Sequence, residues 1–169
     1  MFAPEYPAPT QSAEKKGVVY TREWVVQFML ELAGYTEDRN LGDAVAVEPA
    51  AGEGAFVVPM VRRLIASCRR QNRPLSDCRA SLIAFELDTI SSSAARGAVV
   101  RCLLSEAVPE ELAEDLARGW VRTGDYLFDS FALPQADFVI GNPPYVRLED
   151  IPESVAGVYR GSYPTMAGR

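Results

Sequence analysis

Ala44-Val45-Ala46-Val47-Glu48-Pro49-Ala50-Ala51-Gly52-Glu53-Gly54-Ala55-Phe56 decides the fold of this chain. A short apolar run enters a turn holding two glycines, and a helical pattern follows, so the stretch reads as strand, glycine turn, helix. Gly52 and Gly54 let the backbone come close to a ligand, and the amides that open the helix offer donors to a polar group. The third glycine of a dinucleotide fingerprint is missing, as is the Gly-Lys-Ser/Thr of a phosphate loop, which argues against NAD and ATP. Glu48, expected to be ionised at neutral pH, disfavours a phosphate and favours a ligand carrying an ammonium group.

Working outward, the helix predicted over 55–70 carries Pro59 in its first turns, where a missing donor is tolerated. Ser81-Leu82-Ile83-Ala84-Phe85-Glu86 is a second strand, and the pattern changes abruptly at Glu86-Leu87-Asp88. Two helices follow over 92–104 and 109–118. Trp120-Val121-Arg122-Thr123 is a third strand ending at Gly124-Asp125-Tyr126, and Phe138-Val139-Ile140 is a fourth. Upstream, Thr21 reads as a helix cap, and Val25, Phe28, Met29 and Leu32 form an apolar stripe that belongs in the core and stops at Gly34. Residues 1–16 are proline-rich and read as a loose arm or flap.

Strands separated by helical patterns predict an α/β chain: a Rossmann-like open, mostly parallel sheet with helices on both faces. Ligands of such sheets sit beyond the carboxyl ends of the strands. Glu48, Glu86, Asp125 and Asn142 each fall at or just past such an end, so one crevice is expected to gather them. Glu86 has the acceptors for both hydroxyls of a ribose, Leu87 suits packing on a nucleoside base, and Asp125 suits an exocyclic amine. For each carboxylate alone, a solvated strand end is the competing reading.

After the fourth strand comes Gly141-Asn142-Pro143-Pro144-Tyr145. The prolines stiffen the loop and hold the residue before them extended, so the Asn142 side-chain oxygen and the Pro143 carbonyl point outward together. Two acceptors beside the Tyr145 ring suit a planar substrate bearing an amino group. An ordinary strand-to-turn junction is the plainer reading, because Asn-Pro and Pro-Pro are common turn dipeptides.

Composition narrows the remainder. A formal charge of −6 and a pI near 4.8 do not suit a stand-alone nucleic-acid binder. Arg62, Arg63, Arg69, Arg70, Arg73 and Arg79 cluster on and after the second helix, where a solvated helix face explains them. With no histidine and no Cys-x-x-Cys pair among Cys68, Cys78 and Cys102, neither zinc nor a Ser-His-Asp mechanism is expected. The N-terminus has no signal-peptide pattern and no apolar run spans a bilayer, so a cytoplasmic protein without membrane contact is expected.

These residues resemble the class I S-adenosylmethionine-dependent N6-adenine DNA methyltransferases, in the gamma-type order with the cofactor motifs first. The resemblance covers residues 17–150. Val18-Val19-Tyr20-Thr21 looks like the opening cofactor motif, with Arg22 where proline is frequent in the family. Glu48-Pro49-Ala50-Ala51-Gly52-Glu53-Gly54-Ala55-Phe56 is similar to the glycine motif, Glu86-Leu87-Asp88 to the ribose-binding step, Asp125-Tyr126 to the segment holding the cofactor's adenine, and Asn142-Pro143-Pro144-Tyr145 to the catalytic motif. The resemblance implies S-adenosylmethionine as cofactor, held by Tyr20, Thr21, Glu48, Pro49, Ala50, Gly52, Gly54, Phe56, Glu86, Leu87, Asp125, Tyr126 and Asn142. It implies methylation of a flipped-out adenine held by Asn142 and Pro143 and stacked on Tyr145, and a role in restriction-modification or phage defence.

Residues 17–169 would then be the N-terminal part of a catalytic domain that is incomplete at its C-terminal side. Double-stranded DNA would be bound through an absent recognition domain or a separate subunit, and the chain alone is expected to methylate DNA weakly or not at all. The same Asn-Pro-Pro-Tyr serves methyltransferases acting on protein glutamine or on ribosomal RNA bases, though the helix placed directly before the glycine motif favours DNA. An inactive cofactor-binding remnant is the non-enzyme alternative.

Overall fold

The computed structural model describes residues 21–147 and 150–163. Its described residues fall in two compact units, 21–143 and a second over 144–147 and 150–163. The proposed arm over 1–16 and the proposed cofactor contact of Tyr20 lie outside the described residues.

In the larger unit, helices α1 (Glu23–Leu32), α2 (Val57–Arg70), α3 (Thr89–Ser105), α4 (Glu110–Trp120) and the short α5 (Tyr126–Asp129) alternate with strands β1 (Ala46–Glu48), β2 (Leu82–Glu86), β3 (Val121–Thr123) and β4 (Phe138–Val139). The sheet runs β3-β2-β1-β4 with every pairing parallel. Val47 lies opposite Ile83 on one side and Val139 on the other, and Glu86 opposite Thr123. The open parallel sheet expected from the sequence is therefore present, with boundaries shifted by a few residues.

Strand parity divides the sheet into two faces. Ala46, Leu82, Ala84 and Val121 join Leu30, Met60, Leu64, Val99, Leu103 and Leu116 in one continuous core, so α1 to α4 share that face. Val47, Ile83 and Phe85 point the other way, where Tyr126 of α5 and the loop residues Leu133 and Ala136 pack on them. Both faces carry helix, very unequally. Glu48 has the parity of Ala46 and so points toward the helical face.

Two expectations for α1 need correcting. Its N-cap is Arg22, whose carbonyl accepts from the Val25 and Val26 N–H groups, and Thr21 stands one residue outside. Its buried side is Val26 and Leu30, with Met29 partly buried, whereas Trp24, Phe28 and Leu32 are exposed. The helix is apolar on two sides, so the periodicity of Val25, Phe28, Met29 and Leu32 selected a face between them. The stop at Gly34 holds: Gly34 N–H donates to Glu31 O and Tyr35 N–H to Leu30 O, a Schellman end that seats Tyr35 in the core.

The smaller unit contains α6 (Glu153–Ser162), an element with no counterpart in the sequence reading. It starts after Pro152, and Arg160 pairs with Glu153 along it.

Candidate functional site

In the order β3-β2-β1-β4 the chain steps outward from β1 to β3 and then returns past β1 to β4, so the connections reverse between β1 and β4. A crevice opens at such a reversal, at the carboxyl ends of the two strands. Glu48 ends β1 there, and Gly141 and Asn142 follow β4. A Cβ on Gly141 would lie 3.2 Å from Pro49 Cδ and 3.5 Å from Glu48 Cγ, so the absence of a side chain lets this loop lie directly against the start of the glycine turn.

The turn itself is stitched to the end of β2. Gly52 and Gly54 take positive φ values of 55° and 108°, which side-chain-bearing residues adopt only with strain. Ala51 N–H donates to Phe85 O at 2.7 Å, Gly52 N–H to Glu86 Oε2 at 2.7 Å and Gly54 N–H to Ala51 O at 2.9 Å. The turn therefore offers fewer open amide donors than its sequence suggests. Asp88 N–H reaches Glu86 Oε1 at 2.9 Å, so each Glu86 oxygen already holds one backbone hydrogen and keeps a further lone pair.

Glu48 is the anomaly of the site. It is 1% exposed, and Oε2 is the one buried side-chain nitrogen or oxygen among the described residues without a hydrogen-bond partner. Burial, reinforced by the nearby Glu86 carboxylate, pushes its carboxyl up to about 8 against the opposing pull of the Val57 N–H. The sequence expectation of an ionised Glu48 at neutral pH is thus overturned: in the absence of a ligand cation, desolvation keeps the proton on. A buried, unpaired oxygen of this kind costs about 1–3 kcal/mol, which calls for an explanation other than stability.

Other residues fall around the same edge. Asp88 caps α3 by accepting from Ser91 N–H at 2.8 Å. Asp125 follows β3, caps α5 by accepting from Leu127 N–H at 2.9 Å, and precedes Tyr126, whose ring meets Phe85 edge-on at 5.8 Å. Leu87 is exposed, and Pro49 and Ala50 are half-buried. Phe56 is 2% exposed and packs in the core beneath the turn.

The Asn142 side chain is tied down by a residue 121 positions away, its Nδ2 donating to Thr21 Oγ1 at 3.1 Å. Sequence reasoning misses this pairing, since Thr21 reads as a cap and, by resemblance, as a cofactor contact. Asn142 and Pro143 close the larger unit, while Pro144 and the exposed Tyr145 open the smaller one.

Five of the six clustered arginines have acidic partners within the chain. Arg63 pairs with Glu31 at 2.9 Å, Arg69 with Glu106 at 2.6 Å, Arg70 with Glu37 at 3.6 Å and Arg79 with Asp115 at 2.8 Å, and Arg73 is bonded to Asp43. Among the described residues no cluster of Cys, Asp and Glu is arranged to hold a metal, and no helix is long and apolar enough to cross a membrane.

No protein-family model matches the chain. Curated relatives do. The type II methyltransferase M.PaeR7I of Pseudomonas aeruginosa is 41% identical over 175 residues, covering 100% of this chain and 30% of the relative. M.XhoI of Xanthomonas vasicola is 38% identical with 92% of the chain and 29% of the relative covered, and M.BstVI of Geobacillus stearothermophilus 34% with 90% and 28%. The crystal structure of the M protein of the type I restriction enzyme EcoKI superposes with a TM-score of 0.53 at 22% identity, over 75% of this chain and 25% of that one, a likeness of fold. The chain spans about a third of the length of the curated relatives it matches. By sequence, the chain is a homologue of the type II methyltransferases and corresponds to their N-terminal portion.

Proposed function

We propose that this chain is the cofactor-binding and catalytic-loop portion of a site-specific DNA methyltransferase of a restriction-modification system, which transfers a methyl group from S-adenosylmethionine to N6 of adenine. The observation that carries the reading is Glu48, a buried carboxyl with an orphaned oxygen at the strand-order reversal, beside the loop of Asn142. S-adenosylmethionine has an ammonium group that would complete that oxygen, and ionisation of Glu48 on its arrival turns a desolvation cost into an ion pair. Glu86 is held in place by Gly52 and Asp88 and has lone pairs left for ribose hydroxyls. Leu87 supplies exposed apolar surface for the cofactor's base, and Asp125 an acceptor for its amine.

The cofactor supplies one thing when bound, a methyl group on a cationic sulfur. The rest is done by the chain. N6 of adenine is occupied by pairing within a duplex, so the base must leave the stack before transfer. Asn142 Oδ1 and the Pro143 carbonyl then accept the two amino hydrogens, which draws the nitrogen lone pair out of the ring and aims it, while Tyr145 supplies the stacking ring. Positioning and electrostatics carry the step, without metal or strong base: as N6 takes the methyl, leaving a neutral thioether, it releases one amino proton to solvent.

Calorimetric titration with S-adenosylmethionine tests the reading, with ATP as control. Saturable binding of S-adenosylmethionine alone is expected, weakened about tenfold in Glu48→Gln by loss of a charge-assisted contact and largely kept in Asn142→Ala. No binding by a chain shown folded by circular dichroism would defeat it. Transfer of labelled methyl to duplex DNA, with the polypeptide corresponding to the rest of the relatives supplied, then tests the substrate.

A further inference from the structure

Thr21 stands directly before a helix but does not cap it. Arg22 is the N-cap and makes no side-chain cap bond, and the Thr21 hydroxyl oxygen instead accepts from Asn142 Nδ2 at 3.1 Å. On the other side of the same loop, Ile140 is buried and Gly141 is seated against Pro49 and Glu48. The loop is thus anchored at its base, and the Thr21 bond bears on the rotation of the Asn142 side chain. That rotation matters chemically, because the two ends of a carboxamide have nearly the same shape and opposite hydrogen-bonding sense. With Nδ2 outward the loop would meet an amino group donor to donor; with Nδ2 held, Oδ1 faces it.

We propose that Thr21 is a positioning residue for the catalytic loop, its hydroxyl holding Asn142 by the nitrogen end so that Oδ1 is presented to the amino group of the substrate. The proposal rests on the reading of Asn142 as the acceptor for that amino group. Thr21 reaches it from the far side of the chain, and so makes the segment ahead of the glycine turn part of substrate selection as well as of the scaffold.

Side-chain amide resonances of the ¹⁵N-labelled chain provide the test, the Asn142 pair being identified by its disappearance in Asn142→Asp. Adenine and purine, which lacks the amino group, serve as probes. In the unaltered chain adenine shifts the Asn142 pair and binds more tightly than purine. Thr21→Val moves the Asn142 pair without adenine and lowers adenine affinity by roughly three- to tenfold, the cost of one side chain left to be immobilised on binding, while purine affinity stays the same. Thr21→Ser keeps the hydroxyl and restores the preference, an outcome that a purely structural role for Thr21 would not produce. An Asn142 pair indifferent to Thr21→Val, or one that moves while the adenine preference survives, overturns the proposal. Equal binding of adenine and purine by the unaltered chain, with the Thr21–Asn142 coupling intact, refutes instead the reading of Asn142 on which it rests.

Discussion

The two ends of the sheet treat buried polar groups in opposite ways. At the amino end they are matched within the chain: Ser81 Oγ donates to Gly42 O at 2.7 Å, Trp120 Nε1 to Cys78 O at 3.1 Å, and Ser67 Oγ to Arg39 O at 2.6 Å. At the carboxyl end Glu48 is buried with an oxygen unmatched. Volume alone points to the other end, for a cavity of 680 Å³ opens at the amino end among Ala33, Arg39, Asn40, Leu41, Asp137 and Phe138. Its acidic and amide side chains are already engaged, Asp137 by Val45 and Asn40 by Asp43. An unmet polar group is the better marker of a ligand site, since burying one is costly and a ligand that pairs with it removes the cost.

If that division is right, substitutions at the two ends should separate stability from binding. The largest effect is expected at the amino end. Trp120 is fully buried and its indole donates to Cys78, so Trp120→Ala should cost about 3–5 kcal/mol in urea unfolding. The affinity of the remaining folded chain for S-adenosylmethionine should not change. A parallel loss of affinity would show that the two ends are coupled.

Glu48→Gln should do the reverse. Folding raises the Glu48 carboxyl from 4.5 to about 8, so between those values the folded chain holds more of its proton than the unfolded chain. Stability of the ligand-free chain is therefore highest below the unfolded value and falls as pH rises through this window, by at most about 1.4 kcal/mol per pH unit, levelling off above it. The glutamine variant should flatten that slope and exceed the parent in stability at pH 8, while binding S-adenosylmethionine less tightly. Unfolding at pH 5.5 and pH 8 of both chains checks the sign, and an unchanged slope would remove Glu48 as the titrating group.

Ser81→Ala is smaller and belongs wholly to the amino end. It leaves the Gly42 carbonyl without its 2.7 Å donor in a buried setting, at a cost of about 1–2 kcal/mol. Neither the pH slope nor the ligand affinity should move.

How much of this was legible beforehand differs between the same two ends. The placement of the carboxyl-end segments was readable because it is local in sequence: the glycine turn, Glu86-Leu87-Asp88 and Asn142-Pro143 each follow a strand within a few residues, and parallel topology sets those ends on one side. What failed there depended on burial or on distance along the chain. Glu48 looked ionised because sequence does not show desolvation, and the Thr21–Asn142 bond joins residues 121 positions apart. The amino end was almost silent, since Ser81, Ser67 and Asp137 are ordinary residues until their partners are known. In α1, Trp24 and Phe28 made a second apolar side, so periodicity alone could not say that Val26 and Leu30 face the core.

Two glycine substitutions sharpen the comparison at its smallest scale. Gly119 in α4 has open space where a Cβ would go, so Gly119→Ala should add about 0.5–1 kcal/mol of stability by helix propensity and leave binding alone. Gly141 also has room in its backbone conformation, since its φ is not positive, but a Cβ there meets Pro49 at 3.2 Å and Glu48 at 3.5 Å. Gly141→Ala must therefore ease the Asn142 loop away from the glycine turn, at about 1 kcal/mol or less. Because the contact lies beside the unmatched Glu48 oxygen, affinity for S-adenosylmethionine should drop with it, by roughly threefold for half of the 1.4 kcal/mol that makes a tenfold change. If Gly141→Ala lowered stability but left affinity untouched, the loop and the turn would be neighbours in packing without sharing a site, and the carboxyl end would have to be divided in two.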